Sequence, residues 1–317
     1  MAYYVLKRLG MAVVVMLLAT VFLASLAHVI PGDPVKLMLG PRASEEMSAR
    51  IREEMGLDDP IPVQIWNFVA GLLHGDLGTD FATRSPVRDM IASVIPHTIA
   101  LALVSLGMAV LIGIPLGVIS ATRPNSWIDR TLGILSVSMI TMPTYVSALL
   151  LLLVFAVGLR AVSSIGAGEF SDPVDYLKRL ILPATALAIT WVGYLARLVR
   201  ASLLEVMNQN YIRTAHAYGL SERTISYKYA LKNALIPTVA VLGVGLGNLL
   251  GGAVFVEVIF TRPGLGSLVY QAISERNYPA ARGAILVAAL LFVLANLVAD
   301  LSYRYLDPRI RTWESST

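Results

Sequence analysis

The sequence predicts an all-α integral membrane protein. It has six transmembrane helices, an extracytoplasmic loop domain after the first, and a cytoplasmic helical segment between the fourth and fifth. Three observations carry this. Hydrophobic residues make up 56% of the 317 positions, and the mean hydropathy is +0.69. Charged residues are 15%, against roughly 25% in soluble domains, which is too few to wet the surface of a soluble chain this long. The uncharged stretches also come in bilayer-sized lengths, since a hydrocarbon core of about 30 Å takes about 20 residues of helix. There is no cysteine, which excludes disulfides, thiolate metal sites and cysteine nucleophiles. The net charge is +4 and no basic stripe interleaved with aromatics is present, so lipid rather than nucleic acid is the expected surrounding.

The uncharged windows run 9–32, 90–122, 131–159, 180–196, 233–256 and 283–299. The first comes after Lys7 and Arg8 and is longer than the roughly 7–15 apolar residues of a signal peptide. It runs into His28-Val29-Ile30-Pro31-Gly32-Asp33-Pro34, which offers no small-residue cleavage site, so an uncleaved span is expected. In the next loop, Ser44 can cap a helix beginning at Glu45-Glu46, with Gly56 to end it. The stretch 61–74 places Ile61, Ile65, Phe68, Val69, Leu72 and Leu73 at helical spacing, as a lid or interfacial helix would. Pro115 and Pro143 fall inside the second and third windows, where prolines are tolerated and kink the helix. The short fourth and sixth windows are flanked by Arg179 and Arg197 and by Arg282 and Arg304, whose stems can snorkel to the interface.

Lys and Arg set the orientation. With the N-terminus inside, the inner segments hold thirteen, against six in the short outer loops once the long 31–95 loop is set aside. Both termini are therefore expected in the cytoplasm. The predicted divisions are residues 1–94 (first helix plus extracytoplasmic loop domain), 95–305 (a five-helix transmembrane domain) and 306–317 (a cytoplasmic tail).

The longest inner segment between two spans, 202–237, carries the functional reading. Residues 211–218 favour a short helix with small residues on one side, Gly219 can take the left-handed conformation that stops it, and Ser221 can cap a second helix from Glu222. That second helix shows Ile225, Tyr229 and Lys232 at helical spacing. Two short helices at an angle form a knob suited to docking a partner.

Arg213-Thr214-Ala215, three residues, Gly219, then Leu231 and Pro237 resemble the EAA coupling loop of ABC importer permeases. That pattern reads Glu-Ala-Ala, three residues, Gly, then Leu-Pro and a later Pro. Arg213-Thr214 in place of Glu-Ala, and Lys232 in place of the first Pro, are similar to the dipeptide/oligopeptide/nickel branch. The same branch is resembled, in order, by Arg8-Leu9-Gly10, Ile30-Pro31-Gly32-Asp33-Pro34, Gly75-Asp76-Leu77-Gly78, Gly113-Ile114-Pro115-Leu116-Gly117, Arg200-Ala201-Ser202-Leu203-Leu204-Glu205-Val206, Pro263-Gly264-Leu265-Gly266 and Leu306-Asp307-Pro308-Arg309-Ile310-Arg311. The resemblance implies a type I importer in a bacterial or archaeal inner membrane. It would be built from this chain, a homologous second permease, two ABC ATPases that hold ATP and Mg, and an extracytoplasmic solute-binding protein. Di- or oligopeptides are the implied cargo, with nickel, glutathione, opines or other small solutes as alternatives. Arg213, Thr214, Ala215, Gly219, Leu220, Ser221, Leu231 and Pro237 would dock or position the coupling helix.

The residues themselves exclude one role. A P-loop needs Gly-Lys followed by Ser or Thr, and the chain has no Gly-Lys dipeptide, so no such nucleotide cofactor is expected on it. Candidates for the translocation path or the permease interface are Thr190, Trp191 and Tyr194 in the fourth span and Gly243, Gly247, Asn248, Gly251 and Glu257 in the fifth. For the glycines, close packing inside the bundle is the plainer reading. Glu257 and Asp300 are ionisable near span ends and can be solvated, paired or functional. His28, His74, His97 and His216 show no ligand spacing, so no metal is expected. A stand-alone secondary transporter or channel is the competing class; an inverted repeat would favour it, and none is apparent.

Overall fold

The computed structural model describes residues 2–29, 44–54, 58–80, 83–159 and 165–306. Among them the long elements are all helical: α1 (Ala2–Val29), α2 (Glu45–Glu54), α3 (Ile61–Leu73), α4 (Val87–Ala121), α5 (Trp127–Thr141), α6 (Thr144–Leu151, continued as a π-helix over Leu152–Gly158), α7 (Pro173–Met207), α8 (Asn210–Ala217), α9 (Glu222–Thr224), a π-helical turn (Ile225–Ala230), α10 (Leu231–Ala234), α11 (Ile236–Ile259), α12 (Leu265–Ser274) and α13 (Tyr278–Leu306). Ile30 to Pro34, Gly56 and the tail beyond Leu306 lie outside the described residues, as does the side chain of Asp300.

Among the described residues, α4, α7, α11 and Tyr278–Val298 of α13 are each long and apolar enough to cross a bilayer. The first window falls in α1, where Gly10–Leu23 is a shorter apolar run. The third window is not one rod. α5 and the α6–π segment meet at 103° across Met142 and Pro143. Proline supplies the cause, because it cannot donate to the preceding turn; Pro143 sits at ψ 140° as the N-cap of α6. Pro115, by contrast, lies within the uninterrupted helix α4.

The chain divides into two compact units. One comprises Met1–Thr98 and Pro263–Val293; the other comprises Ile99–Arg262 and Leu294–Thr317. In the first, Leu77, Val87, Ile91, Leu265, Leu268, Ala280 and Ala284 form the core. The Thr98 hydroxyl accepts from the Leu265 backbone N–H at 2.7 Å, and the Ser267 hydroxyl accepts from the Gly264 N–H at 2.9 Å where α12 opens. The buried Asp80 carboxylate accepts from the Thr83 N–H at 2.8 Å, from the Thr83 hydroxyl, and from the Asn277 side-chain amide. Arg282 does not snorkel. Its guanidinium lies 3.7 Å from the centre of the Phe68 ring and its Nε is buried without a hydrogen-bond partner. Phe68 is the buried anchor of the apolar face of α3, so stacking there replaces hydration at the interface.

In the second unit α7 is the central post. Glycines at its crossings with α4, α5 and α11 let the helices approach. A Cβ on Gly113 or Gly117 of α4 would stand 2.9 Å from Val192 O or 2.6 Å from Ala196 O, both on α7. A Cβ on Gly193 of α7 would stand 2.6 Å from Ser136 O on α5. On α11, Gly245 faces the Trp191 ring at 2.8 Å and Gly252 faces Leu187 at 3.2 Å. Small residues at helix crossings are the usual means of association where lipid removes the hydrophobic drive. The fourth window, 180–196, is short by charge yet sits inside this 35-residue helix, because its neighbours cover it along most of its length.

Candidate functional site: the 210–237 segment and the helix faces beside it

α8 is stopped by a hydrogen-bonded turn that its sequence dictates. Gly219 sits at φ +73°. Its N–H donates to His216 O at 2.9 Å, while the Leu220 N–H reaches back to Ala215 O at 3.3 Å. This is the paired closure of a Schellman turn, which needs a left-handed residue at the position of Gly219. Ser221 then caps α9, its hydroxyl accepting from Thr224 N. The stop of α8 and the start of α9 thus fall within three residues.

Packing fixes the knob to the bundle. Ile212 and Ala215 from α8 and Ile225, Ala230 and Ala234 from the π-helical turn and α10 are buried together with Val118, Ala121, Val199 and Leu203 of α4 and α7. Two polar links tie α8 to α9 and α10. The Asn233 amide donates to the Tyr211 hydroxyl at 2.9 Å, and His216 Nε2 lies 2.9 Å from Glu222 Oε1. The opposite face stays in the open: Arg213, Thr214, Leu220 and Ser221 are exposed, and Tyr218 is 81% exposed. Of the remaining predicted residues, Leu231 is half-buried at the edge of the same core and Pro237 occupies the first turn of α11, where a missing N–H costs nothing. The predicted set therefore divides into residues that pack or shape the segment (Ala215, Gly219, Leu231, Pro237) and exposed ones (Arg213, Thr214, Leu220, Ser221). The sequence reading passed over the exposed Tyr211, Tyr218 and Tyr227. Their signal is chemical: tyrosine and arginine are the side chains enriched at protein interfaces.

The path candidates separate as well. Trp191 is half-buried, packing on Gly245 and edge-on to Tyr194 at 5.6 Å; Thr190 approaches Met142 O at 3.5 Å at the break between α5 and α6; Tyr194 is exposed. Gly247 is buried, Gly243 is half-buried, and Gly251 has nothing within 4 Å of where its Cβ would stand. Val244, Asn248, Gly251 and Phe255 share one exposed face of α11. Glu257 is fully buried rather than near water. Also buried, and passed over in the sequence reading, is Arg262, 1% exposed, whose guanidinium lies 4.8 Å from the Tyr176 ring centre with no hydrogen-bond partner for its nitrogens. Burial lowers the Arg262 pKa, and Tyr176 and Glu257 oppose that. One ion pair that the sequence reading did not foresee is two-pronged: Arg200 Nε and Nη2 on α7 donate to Asp129 Oδ1 and Oδ2 on α5 at 2.6 and 2.8 Å. Ser120 and the Asn125 N–H complete the carboxylate's shell at 2.5 and 2.9 Å.

An all-α membrane bundle with a compact helical segment between α7 and α11 is the frame of a membrane protein with an exposed surface beside its spans. Comparison with known proteins gives the family. Residues 113–312 match the binding-protein-dependent transport system inner membrane component, and residues 1–102 match the N-terminal region of such membrane components. The chain belongs to this family and is an inner-membrane permease subunit of a binding-protein-dependent ABC importer. It is 40% identical to a putative peptide transport system permease protein of Brucella abortus (strain 2308), over 98% of this chain and 99% of that protein. It is 37% identical to the dipeptide transport system permease protein of Alkalihalophilus pseudofirmus, over 98% and 100%. It is also 37% identical to the glutathione transport system permease protein of Salmonella choleraesuis, over 98% and 99%. In fold it is similar to a chain of the inward-facing MetNI methionine ABC transporter, at TM-score 0.58 and 22% identity, covering 69% of this chain and 96% of that one.

Proposed function

We propose that this chain forms half of the translocation pathway of an ATP-driven importer of di- or oligopeptides, and that the 210–237 knob is the surface its ATPase grips. The observation that carries the docking role is the contrast within α8: two buried side chains lock it to α4 and α7, while Arg213, Thr214 and Tyr218 face outward with no structural work to do on that side. Movement of a gripped α8 would pass directly to the two longest helices of the bundle. The relatives named for peptides, dipeptides and the tripeptide glutathione support the cargo class.

In this reading a homologous second permease completes the pathway, and the open face of α11 with Asn248 and Gly251 meets it or lines the channel, with Thr190 and Tyr194 nearby on α7. Two ABC ATPases hold ATP and Mg, since the chain has no P-loop of its own, and a solute-binding protein delivers cargo outside. Both termini are cytoplasmic. The test is a mild-detergent pull-down of the tagged chain with mass spectrometry, followed by uptake of labelled dipeptide into vesicles. Co-purified P-loop ATPases with ATP-dependent uptake are expected. A chain that arrives alone and transports on a proton or sodium gradient would instead be a secondary transporter.

A further inference from the structure

A cavity of about 410 Å³ opens between α4, α5 and α7 at the end of the bundle nearest the knob. Its walls change character along its depth. Toward the α4–α5 turn stand Ser120, Asn125, Arg130, Arg197 and Arg200; toward the middle of the helices stand Leu116, Leu132, Gly133, Val137 and Ala196, with Ser136 the one polar side chain among them. Asp129 is the one carboxylate among the lining residues, and Arg200 already holds both its oxygens. Arg130 and Arg197 are exposed, and among the described residues neither makes an ion pair with a carboxylate. The cavity therefore presents two uncompensated guanidinium groups above a floor that is apolar but for Ser136. Beside it Trp127 is 75% exposed at the first turn of α5, and Arg123 is exposed in the turn before it. Tryptophan and arginine side by side at a helix end are placed as at the headgroup level of a bilayer.

We propose that this cavity binds the phosphate headgroup of an anionic phospholipid of the inner leaflet, with Arg130 and Arg197 on the phosphate and the first acyl carbons on Leu132 and Val137. A basic pocket between spanning helices attracts anionic lipid, and the change from charged to apolar lining matches a phosphodiester that carries a chain. A free phosphate would use only the charged end. The Asp129–Arg200 pair frames the site, joining α5 to α7 with Arg130 and Arg197 both on the cavity wall. The proposal rests on the permease reading only in placing this end of the bundle at the inner leaflet.

The test uses the whole transporter purified in detergent, offered phosphatidylglycerol or phosphatidylcholine, with retained lipid read by native mass spectrometry. Retention of phosphatidylglycerol over phosphatidylcholine is expected. Arg130→Ala and Arg197→Ala should each weaken it about fivefold, Arg197→Lys should restore most of it, and Lys178→Ala, an exposed charge on the far part of α7, should leave it unchanged. Excess inorganic phosphate should not displace the lipid. Equal retention by the double alanine variant, or no preference for the anionic lipid, overturns the proposal. Displacement by inorganic phosphate overturns the lipid and assigns the site to a soluble phosphate. Co-purification of ATPases is scored in the same samples: its absence from the wild-type complex would sink the permease reading, while lipid retention is still read independently.

Discussion

Gly219 holds φ at +73° with nothing within 4 Å of where a Cβ would stand, so a substitution there meets backbone strain and no crowding. A β-branched residue forced into the left-handed region costs about 1–2 kcal/mol, enough to shift α8 into other conformations. Gly219→Val should reach the membrane normally, retain less ATPase in pull-downs and transport poorly, whereas Gly219→Asn, which tolerates that region, should stay close to wild type. Equal transport by both variants would argue against a conformational role for the turn. This turn was legible because its signals are local: a glycine after a short helix and a serine before the next. Asp129 was not legible, since its partner lies 71 residues away and both sit among charges that the hydropathy pattern assigns to the interface. Asp129→Ala leaves Arg200 without its two-pronged partner. With the Arg200 side chain 34% exposed, so that solvent screens part of the loss, the expected destabilisation is about 2 kcal/mol. A thermal-melt cycle with Arg200→Ala should show that the two losses do not add.

The elements divide by the distance over which their cause acts. The long helices arise from runs of apolar residues, and the knob from turn chemistry, both contained within one stretch of chain. The role of α7 comes from neighbours distant in sequence, among them α4, α5 and α11, and no local signal announced it. Gly117→Ala would place a methyl 2.6 Å from Ala196 O and 2.7 Å from Val199 Cβ, backbone and branch point that cannot swing away. Overpacking of this kind costs about 1–3 kcal/mol, and the melting temperature of the purified transporter should fall. Gly107→Ala on the same helix has nothing within 4 Å of the new methyl and should leave it unchanged or raised, because alanine is the better helix former. If both variants melt alike, the α4–α7 crossing is not limited by glycine contact.

For the molecule as a whole, the bend between α5 and α6 decides how many times the chain crosses the membrane. The 15 residues of α5 reach only about 22 Å at 1.5 Å each, short of the roughly 30 Å hydrocarbon core. The pair therefore crosses together as a broken span or turns back without crossing. The uncharged window 131–159 could not distinguish these, since hydropathy is blind to the angle at Pro143. Parity can. α7 is a single long helix, so Ser171 before it and Ala217 after it must lie on opposite sides. If the bent pair crosses, Arg123 lies with Ala217; if it turns back, Arg123 lies with Ser171. The chain has no native cysteine, so single cysteines can be placed at these positions without background. With the proposed orientation, an impermeant thiol reagent applied to intact cells should label Ser171→Cys and Ser274→Cys, and should label Arg123→Cys and Ala217→Cys only after the membrane is opened. Labelling of Arg123→Cys from outside together with Ser171→Cys would make the bent pair a re-entrant element. Labelling of Ala217→Cys from outside would reverse the bundle, remove the knob from the reach of any cytoplasmic ATPase, and end the docking proposal.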